Sequence, residues 1–352
     1  MPVLGERRAV RKGQPASVRN AAITGWGMYI PERVMTNRDL EQFVETSDEW
    51  IVSRTGIRER RLATATDTTV SMAASAARQA LHVAGVDPTE VELLILATDT
   101  PDKLMPASAS VLQHELGITR AGAFDLDAAC AGFVYALSVG TQFVRAGVYK
   151  TVLVVGADAL TRYIDFTDRG TCILFGDGAG AVVLQASDAD EGVLSTVLGS
   201  DGRGAPHLYV DGIRPAEVPN DAADSVPLPH MKMNGSEVFK FAVKVMGEAA
   251  VEAIDRAGLS LADIDLFIPH QANLRIIDAS ARRLELPREK VFVNLDRYGN
   301  TSAASIPMCI AEAADCGRLQ PGMNVVLVGF GAGLTWAANV VRWGATGIGR
   351  GE

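Results

Sequence analysis

The chain of 352 residues is long enough for about two domains, or for one large body with a shared core. Hydrophobic residues account for 48% and charged residues for 21% of the sequence, a balance typical of a folded globular protein and not of a disordered one. The net charge of -9 argues against a nucleic-acid partner, because neutralising phosphates needs a basic surface.

In chain order, residues 1–19 come first, with several basic side chains but no apolar signal-peptide stretch, and we expect a mobile tail there. Beyond this tail, short β-branched runs alternate with alanine-rich stretches of helical spacing. The runs predict buried strands over 93–96, 152–155, 181–184, 265–268 and 325–328. The alanine-rich stretches predict helices over 69–84, 107–116, 130–146, 235–257, 271–284 and 302–317. This alternation predicts an α/β architecture with a covered, largely buried sheet.

The later part of the chain repeats the order of the earlier part. The earlier part contains, in order, the segments 93–96 and 124–127, a helix start near Cys130, and the segments 152–155 and 175–180. The later part contains, in the same order, 266–268 and 293–296, a helix start near Thr301, and 325–328 and 331–333. Such a repeat predicts two similar halves, 20–190 and 191–348, related by a pseudo-twofold axis. Two unrelated α/β units that look alike are the alternative. The axis would bring the helix starts near Cys130 and Asn300 together at the centre.

Four cysteines, at positions 130, 172, 309 and 316, show neither metal-binding nor paired spacing. We therefore expect no metal site and no disulfide framework, and a reducing compartment, the cytoplasm, as the location. The longest apolar run, 325–341, is interrupted by glycine and polar residues and is too short for a membrane span, so no membrane partner is expected.

Cys130 is the candidate nucleophile. It lies in the segment 127–133, a run of small residues between a strand end and an alanine-rich helix. A helix start offers unpaired N–H groups and the positive end of the helix dipole, and both favour the reactive thiolate. Small neighbours leave room for an acyl group, although a buried core cysteine is the alternative. The other three cysteines have no such setting, and we take them as structural.

His270 and Asn300 are the candidate partners of Cys130. His270 follows a buried strand in the segment 268–273, so it would project from the strand end into a cleft. Asn300 occupies a helix N-cap region, where asparagine is favoured even without a functional role. Because all three residues fall at equivalent junctions of the repeat, they are expected to meet.

Four segments together, 127–133, 269–273, 299–305 and 329–333, resemble β-ketoacyl-acyl-carrier-protein synthase III, the condensing-enzyme family that primes bacterial fatty-acid and some polyketide synthesis. Further matches lie at 46–51, 54–58 and 168–170, and the resemblance runs from about residue 21 to 343. It implies the thiolase fold, a five-layered αβαβα body in a homodimer. Asn300 favours the initiating class, because elongating enzymes use two histidines and thiolases a second cysteine.

The resemblance also implies a mechanism. Cys130 would take the acyl group of acyl-CoA, which is a substrate and not a cofactor. Malonyl on acyl carrier protein would then lose CO2, and His270 and Asn300 would donate hydrogen bonds to the enolate oxygen. The backbone N–H groups of Cys130 and Ala332 would hold the oxyanion of the acyl-cysteine. Ala332 stands where many relatives carry glycine, which narrows the space beside this donor.

Substrate contacts follow from the same resemblance. Trp50 and Arg169 would stack on either side of the CoA adenine, Arg54 would meet the phosphates and Asn273 the pantetheine arm. Core packing is the alternative for Trp50. Phe239 would narrow the pocket near Cys130, and Met105 of the partner subunit would close the acyl pocket. Because methionine is adaptable, we expect tolerance of branched or longer acyl groups as well as acetyl.

A docking surface for acyl carrier protein is expected near the mouth of the site. Arg275 and Arg282 are seven residues apart on one helix face, Arg283 is adjacent, and Lys240 lies in the preceding helical segment. A basic cluster on an acidic protein suits an acidic partner. A solvated helix face is the alternative.

Three other functions are weighed. An enzyme that transfers a starter acyl group without decarboxylating malonate would keep Cys130 but need not use His270 and Asn300. A non-catalytic acyl-CoA or carrier-binding module has no need of a nucleophile. A nicotinamide oxidoreductase is disfavoured, because neither 176–180 nor 329–333 opens a dinucleotide-binding helix.

Overall fold

The structure, a computed structural model, describes residues 19–211 and 229–344. The expected tail up to residue 18, most of the proline-rich stretch before 230, and the end of the second half after 344 lie outside the described residues. The strands are β1 (Asn20–Tyr29), β2 (Arg33–Thr36), β3 (Glu59–Leu62), β4 (Leu93–Ala97), β5 (Gly122–Leu126), β6 (Thr151–Asp158), β7 (Gly178–Ser187), β8 (Gly192–Ser200), β9 (Leu208–Val210), β10 (Met231–Met233), β11 (Leu266–Pro269), β12 (Asn324–Gly331) and β13 (Thr335–Arg342). The helices are α1 (Asn37–Leu40), α2 (Asp48–Thr55), α3 (Thr69–Ala84), α4 (Ser108–Glu115), α5 (Gly132–Arg145), α6 (Arg169–Cys172), α7 (Gly235–Arg256), α8 (Leu274–Arg283), α9 (Leu295–Tyr298) and α10 (Ser305–Asp315).

The first sheet has the strand order β1-β7-β6-β4-β5. Strand β4 pairs in parallel with β5 and β6, whereas β7 runs antiparallel to β6 and β1. Strands β4 and β6 are buried along their whole length, which is why their sequences are continuous apolar runs. The strands predicted over 93–96, 152–155 and 181–184 are confirmed.

The second sheet repeats this plan with the order β8-β13-β12-β11. Strands β11 and β12 are parallel, and β13 runs antiparallel to its two neighbours. The segment 293–296, which the repeat matched to the strand segment 124–127, is not a strand. Val291 alone bridges to β11, and α9 begins at Leu295. The backbone N–H of Asn294 donates to the side chain of Gln271 at 3.1 Å, so it is unavailable for strand pairing.

The two sheets enclose α5 and α10 and carry other helices on their outer faces. Leu94 and Leu96 of β4 pack with α3 and α4, whereas Leu93 and Ile95 point to the opposite face, toward α5 and α10. In the second sheet, Val326 of β12 packs with α7 and α8. The layers therefore follow the order α, β, α, β, α, as expected for a thiolase-like α/β fold.

The pseudo-twofold relation extends to the turns at the centre. Each of the helices predicted over 130–146 and 302–317 begins with a 3₁₀ turn, Ala129–Ala131 before α5 and Ser302–Ala304 before α10. The first residue of each turn, Ala129 and Ser302, has the same positive φ of 48°. The two sheets use residues on either side of position 190, which supports the proposed division into halves. Within the described ranges, no helix is both long and apolar enough to cross a membrane.

Candidate active site

Cys130 lies at the centre of the molecule, in the 3₁₀ turn ahead of α5, and is 8% exposed. The last residue of β12, Gly331, runs directly against this turn. A Cβ atom on Gly331 would lie 2.5 Å from the backbone nitrogen of Cys130, so only glycine allows this approach. The equivalent turn is packed in the same way, since a Cβ on Gly156 of β6 would lie 2.3 Å from the carbonyl oxygen of Ala303.

Two cavities meet at the Cys130 thiol. We call the cavity lined by Leu160 and Ala332, of about 220 Å³, the inner cavity, and the cavity lined by His270 and Asn300, of about 210 Å³, the outer cavity. Cys130, Phe175 and Leu208 line both. Apolar side chains of Leu160, Val210 and Met231 form much of the inner wall. The outer cavity is lined by Cys130, Gly170, Leu174, Phe175, Leu208, Met233, Gly235, Val238, Phe239, His270, Ala272, Asn273, Ile276, Asn300, Phe330 and Gly331.

His270 follows β11 and is 1% exposed. Its backbone N–H donates to the carbonyl of Val328 at 2.8 Å, and its ring packs edge-on against Phe330 with centroids 5.4 Å apart. The Nδ1 atom lies 2.7 Å from the hydroxyl oxygen of Ser305, in the first turn of α10. Burial lowers the pKa of His270 to about 3, so the imidazole is neutral at physiological pH.

Asn300 is held by hydrogen bonds on its backbone and its side chain. Its N–H donates to the carbonyl of Leu174 at 2.8 Å, and its own carbonyl accepts the N–H of Gly176 at 2.9 Å. The side-chain oxygen accepts the backbone N–H of Ser302 at 2.9 Å. Because the oxygen is engaged in this way, the amide NH2 group is the part of the side chain free to donate into the outer cavity. The structure thus brings Cys130, His270 and Asn300 together on one cavity.

Burial and the nearby carboxyl groups act against ionisation of the Cys130 thiol, whereas the helix start that was expected to favour the thiolate acts in the opposite direction. Burial raises the pKa of the Cys130 thiol, and the carboxyl groups of Asp99 and Asp158 raise it further. A hydrogen bond with the Ser302 side chain acts in the opposite direction and is too weak to reverse the shift.

Ala332 lines the inner cavity together with Cys130. Its carbonyl oxygen accepts the hydroxyl of Thr335 at 2.9 Å, and the same hydroxyl also donates to the carbonyl of Ala128 at 2.8 Å. One threonine therefore ties the segment after β12 to the segment before Cys130. This contact fixes the relative position of the two chain segments that carry the predicted oxyanion donors.

Trp50, Arg54 and Arg169 also lie together. The guanidinium groups of Arg54 and Arg169 lie 4.7 Å and 4.8 Å from the centre of the Trp50 ring. For an adenine to bind between Trp50 and Arg169, the guanidinium of Arg169 would therefore have to move away from the Trp50 ring by the thickness of one ring. Asn273 caps α8 and donates from its amide to the carbonyl of Arg54 at 3.0 Å, so it connects this group to the outer cavity that it lines.

The two residues predicted for the acyl pocket differ in their positions relative to Cys130. Phe239 of α7 lines the outer cavity together with Cys130, His270 and Asn273. Met105 is 82% exposed and, among the described residues, lies outside both cavities of its own chain. It follows Leu104, which is 78% exposed, so two large apolar side chains project together from the surface.

The four cations predicted for carrier docking differ in their partners. Lys240 pairs with Glu237 at 2.7 Å, and Arg283 lies 3.6 Å from Glu248. The guanidinium of Arg275 lies 5.3 Å from the ring centre of Phe239 at the rim of the outer cavity, and Arg282 is exposed on the same helix, α8. Lys240 and Arg283 are thus each balanced by an acidic neighbour, and Arg275 and Arg282 of α8 carry the excess positive charge.

Several residues of the site were not predicted. Asp99, Asp127 and Asp158 stand at or just beyond the carboxyl ends of the neighbouring strands β4, β5 and β6. Because the ends of parallel strands meet at one sheet edge, the position of each aspartate directly after a predicted strand or at its end is the sequence signal that could have identified them. For Ser302 and Ser305 there was only the general preference for serine at helix starts. Across the two described ranges, no group of three or more His, Cys, Asp or Glu is placed to hold a metal ion.

A five-layered α/β body with a buried thiol, imidazole and carboxamide around one cavity defines a condensing enzyme of thiolase-like fold. Two family models match, 3-oxoacyl-(acyl-carrier-protein) synthase III over residues 124–202 and its C-terminal counterpart over 254–343. The chain belongs to the β-ketoacyl-acyl-carrier-protein synthase III family.

Individual relatives agree with this membership. The protein of that name from Roseiflexus sp. (strain RS-1) is 54% identical over 327 residues, which cover 92% of this chain and 99% of the relative. The crystal structure of the Thermus thermophilus protein superposes with a TM-score of 0.86 at 50% identity, covering 92% of this chain and 99% of that one. The crystal structure of a priming β-ketosynthase from the R1128 polyketide pathway superposes with a TM-score of 0.87 at 38% identity, covering 96% of this chain and 99% of that one.

Proposed function

We propose that the protein condenses an acyl-CoA starter with malonyl-acyl-carrier protein, releasing CO2 and CoA and forming β-ketoacyl-acyl-carrier protein. The observation that carries this proposal is the convergence of Cys130, His270 and Asn300 on the outer cavity. In this reaction the chain acts as an acyltransferase that begins fatty-acid or polyketide synthesis.

Cys130 is the acyl acceptor in this proposal, because it stands where the two cavities meet. A CoA thioester enters through the outer cavity, and the transferred acyl group occupies the inner one. The transfer forms a thioester on Cys130 and frees the outer cavity for the malonyl group, which gives ping-pong kinetics. The mainly apolar wall formed by Leu160, Val210 and Met231 suits an alkyl chain.

His270 serves as a neutral hydrogen-bond donor to the enolate. Nδ1 of His270 lies 2.7 Å from the Ser305 hydroxyl oxygen, and we assign the hydroxyl hydrogen to this contact, with Nδ1 as the acceptor. The ring proton then resides on Nε2 and can be donated to the thioester oxygen of malonyl. A pKa of about 3 keeps the ring neutral, so it stabilises the developing charge without transferring a proton.

Asn300 supplies the second donor through its amide NH2 group. Its orientation is fixed by the N–H of Ser302, so donation requires no rearrangement when negative charge develops. The backbone N–H groups of Cys130 and Ala332, both beside the inner cavity, are our candidates for the second oxyanion, on the acyl-cysteine. Two separate donor pairs match the two steps of the reaction, since each step develops charge on a different thioester oxygen.

The remaining contacts concern the two substrates and a second subunit. The cations around Trp50 suit the adenine and phosphates of CoA, and Asn273 lies between them and Cys130. We assign carrier docking to α8. Exposed Leu104 and Met105 support a homodimer in which this segment is covered and reaches the acyl pocket of the partner. We keep the cytoplasm as the proposed location.

Intact-protein mass tests the proposal. After incubation with acetyl-, isobutyryl- or hexanoyl-CoA, the wild type should gain one acyl group and Cys130→Ala none. Cys316→Ala, which removes the exposed cysteine, is the matched control and should acylate like the wild type. Adding malonyl-acyl-carrier protein should then release CO2. Acyl transfer to the carrier without CO2 would instead support the non-decarboxylating alternative, and strict use of acetyl-CoA would contradict the expected tolerance of longer chains.

A further inference from the structure

Gln271, the residue after His270, carries a buried amide that the chemistry described above does not use. The residue is 1% exposed. Its Nε2 atom donates to the carbonyl oxygens of Pro269 at 2.7 Å and Phe292 at 3.3 Å, and its Oε1 atom accepts the backbone N–H of Asn294 at 3.1 Å. Because the two carbonyls only accept and the N–H only donates, these three bonds fix a single orientation of the amide.

The partners of this amide belong to two chain segments, and each segment carries one proposed donor to the enolate. Pro269 ends β11 and directly precedes His270. Asn294 directly precedes α9, and this short helix leads through Gly299 to Asn300. The side chain of Gln271 therefore connects the strand end that supplies His270 to the start of the segment that supplies Asn300.

A backbone contact joins the same two segments farther from the site. The N–H of Phe292 donates to the carbonyl of Phe267, inside β11, at 2.9 Å. Beyond Phe292 the chain leaves the strand, and the amide of Gln271 extends the connection to Asn294, where α9 begins. Gln271 thus acts at the point where the two segments come closest to their donors.

The segment 294–300 is short and held at both ends. Glu312 of α10 accepts the side-chain amide of Asn294 at 3.0 Å and the guanidinium of Arg297 at 2.5 Å. At the other end, the N–H of Asn300 donates to the carbonyl of Leu174 at 2.8 Å. Because α9 spans only Leu295–Tyr298, a shift at the start of this segment is passed on to Asn300.

We propose that Gln271 is a positioning residue that sets the spacing between His270 and Asn300 for the decarboxylation of malonyl-acyl-carrier protein. This inference rests on the proposed function, in that both residues donate to the same enolate oxygen. Two donors stabilise one oxygen only when both lie within hydrogen-bond distance of it at the same time. Acylation of Cys130 uses neither donor, so it should not depend on Gln271.

A purely structural role for Gln271 makes a different prediction. If the amide only provided partners for buried backbone groups, its loss would destabilise the protein and would affect acylation and decarboxylation equally. Positioning instead predicts a selective loss of the step that needs both donors. The two half-reactions can be measured separately, so the two roles are separable.

Gln271→Met is the decisive variant. Methionine has nearly the same length as glutamine, fills a similar volume and removes all three hydrogen bonds. Release of CO2 from malonyl-acyl-carrier protein, by enzyme acylated to completion beforehand, should slow roughly 10- to 100-fold. The KM for this substrate should stay within about twofold of the wild type, and the CoA burst from acetyl-CoA within about threefold.

Asn339→Leu is the matched control. Asn339 is a buried amide on β13 that also makes three bonds through its nitrogen, to the Ser138 hydroxyl at 3.0 Å, the Ser195 carbonyl at 3.2 Å and the Thr196 hydroxyl at 2.9 Å. It is not part of the wall of either cavity. This variant should lower the midpoint of thermal unfolding, as Gln271→Met does, but both half-reactions should stay within about threefold of the wild type.

Gln271→Asn provides a second variant if Gln271→Met does not fold. It keeps an amide in the same place but is one methylene shorter, so it cannot reach Pro269, Phe292 and Asn294 together. The same selective loss of CO2 release is expected.

A double-mutant cycle with Asn300→Ala gives a result that a structural role would not produce. Once one donor is removed, the spacing no longer matters, because the malonyl thioester can follow His270 alone. In the Asn300→Ala background, Gln271→Met should therefore slow CO2 release by less than about threefold. A structural role would cost the same factor in both backgrounds.

The outcomes distinguish this inference from the proposed function. If the wild type gains no acyl group on Cys130, the proposed function is wrong and this inference fails with it. If the wild type is acylated and Gln271→Met releases CO2 within about threefold of the wild-type rate, the positioning role alone is overturned. Equal losses in both half-reactions, or equal factors with and without Asn300, would also overturn it in favour of a structural role.

Discussion

The Nδ1 atom of His270 lies 2.7 Å from the hydroxyl oxygen of Ser305, which joins the end of β11 to the first turn of α10. In the proposed reaction the Ser305 hydroxyl donates to Nδ1, so the single ring proton of the neutral imidazole resides on Nε2. A helix at the centre of the molecule thereby sets the orientation of a donor that a strand in another layer supplies.

Ser305→Ala should therefore impair decarboxylation more than acylation. Loss of the hydroxyl leaves Nδ1 without its partner and frees the ring to adopt the other tautomer, at a cost of about 1.4 kcal/mol, or tenfold in rate. Release of CO2 from malonyl-acyl-carrier protein by pre-acylated enzyme measures this step, and the CoA burst from acetyl-CoA serves as the control. Equal losses in both steps would show that Ser305 only supports the fold.

Buried His270 also makes stability depend on pH. Its pKa is about 3 in the folded protein against 6.5 in the unfolded chain, so the unfolded state binds a proton first as the pH falls. Stability is therefore present above about pH 6.5 and is lost as the pH falls through that value toward 3. Between pH 7 and pH 5 the loss amounts to about 2 kcal/mol.

His270→Asn should lose correspondingly less stability over the same range. Asparagine does not titrate, whereas the buried carboxyl groups that oppose this effect, Asp99 and Asp158, are common to both proteins. Chemical denaturation at pH 7 and pH 5 gives the two free energies of unfolding for each protein. Parallel losses in the wild type and the variant would contradict a neutral, buried His270.

The sequence predicted the central layers well, and the reason is burial. Strands such as β4 and β6 have both faces covered, so their composition alone marks them, and α3 was predicted over its full length. Strands β1 and β8 were not predicted. The first contains two internal glycines, and the second alternates buried and exposed residues over only part of its length, so neither forms a continuous apolar run.

The site was predictable only as far as chain positions define it. Cys130 and His270 could be chosen because each stands beside a strand end, and the repeat placed them in equivalent junctions. The contact of His270 with Ser305 joins residues 35 positions apart, and that of Ser302 with Asp99 joins residues 203 apart. Such pairings arise from the packing of the two halves. The same is true of the raised pKa of the Cys130 thiol, whose main cause is burial in the assembled core.

Gly331 and Ala332 are neighbours in the chain and both lie close to Cys130. Adding a methyl group at Gly331 should impair stability and acylation far more than removing one at Ala332. Gly331→Ala places a Cβ atom 2.5 Å from the nitrogen of Cys130 and 2.8 Å from the Cβ of Ala129, so the turn must shift. We expect a loss of about 1–3 kcal/mol in stability. Acylation should slow by roughly 10²-fold or more, since the displaced turn carries a proposed oxyanion donor.

Ala332→Gly is the matched reverse change. The backbone N–H survives it, so acylation should stay within about threefold of the wild type, and the wall of the inner cavity loses only one methyl group. Thermal unfolding and the CoA burst measure both variants. A large gain in rate for Ala332→Gly would mean that the alanine weakens the oxyanion site.

Carrier docking should depend more strongly on Arg275 and Arg282 of α8 than on Arg283 and Lys240. Arg275→Glu and Arg282→Glu reverse charges for which the structure gives no acidic partner among the described residues, whereas Arg283 and Lys240 are paired with Glu248 and Glu237. Each reversal on the first pair should raise KM for malonyl-acyl-carrier protein by roughly fivefold, about 1 kcal/mol, because a rim charge mainly affects the encounter rate. Arg283→Glu and Lys240→Glu each create a like-charge pair within the protein as well, so part of their effect should appear as lost stability.

A salt series separates docking from other effects of these substitutions. The KM for malonyl-acyl-carrier protein should rise with ionic strength in the wild type and less steeply in Arg275→Glu, because screening removes an attraction that this variant already lacks. The acylation rate with acetyl-CoA should not change, although Arg275 lies over Phe239 at the rim of the outer cavity. If Arg275→Glu instead slows acylation and leaves the KM for the carrier substrate unchanged, its guanidinium serves the CoA path and carrier docking must be sought on another surface.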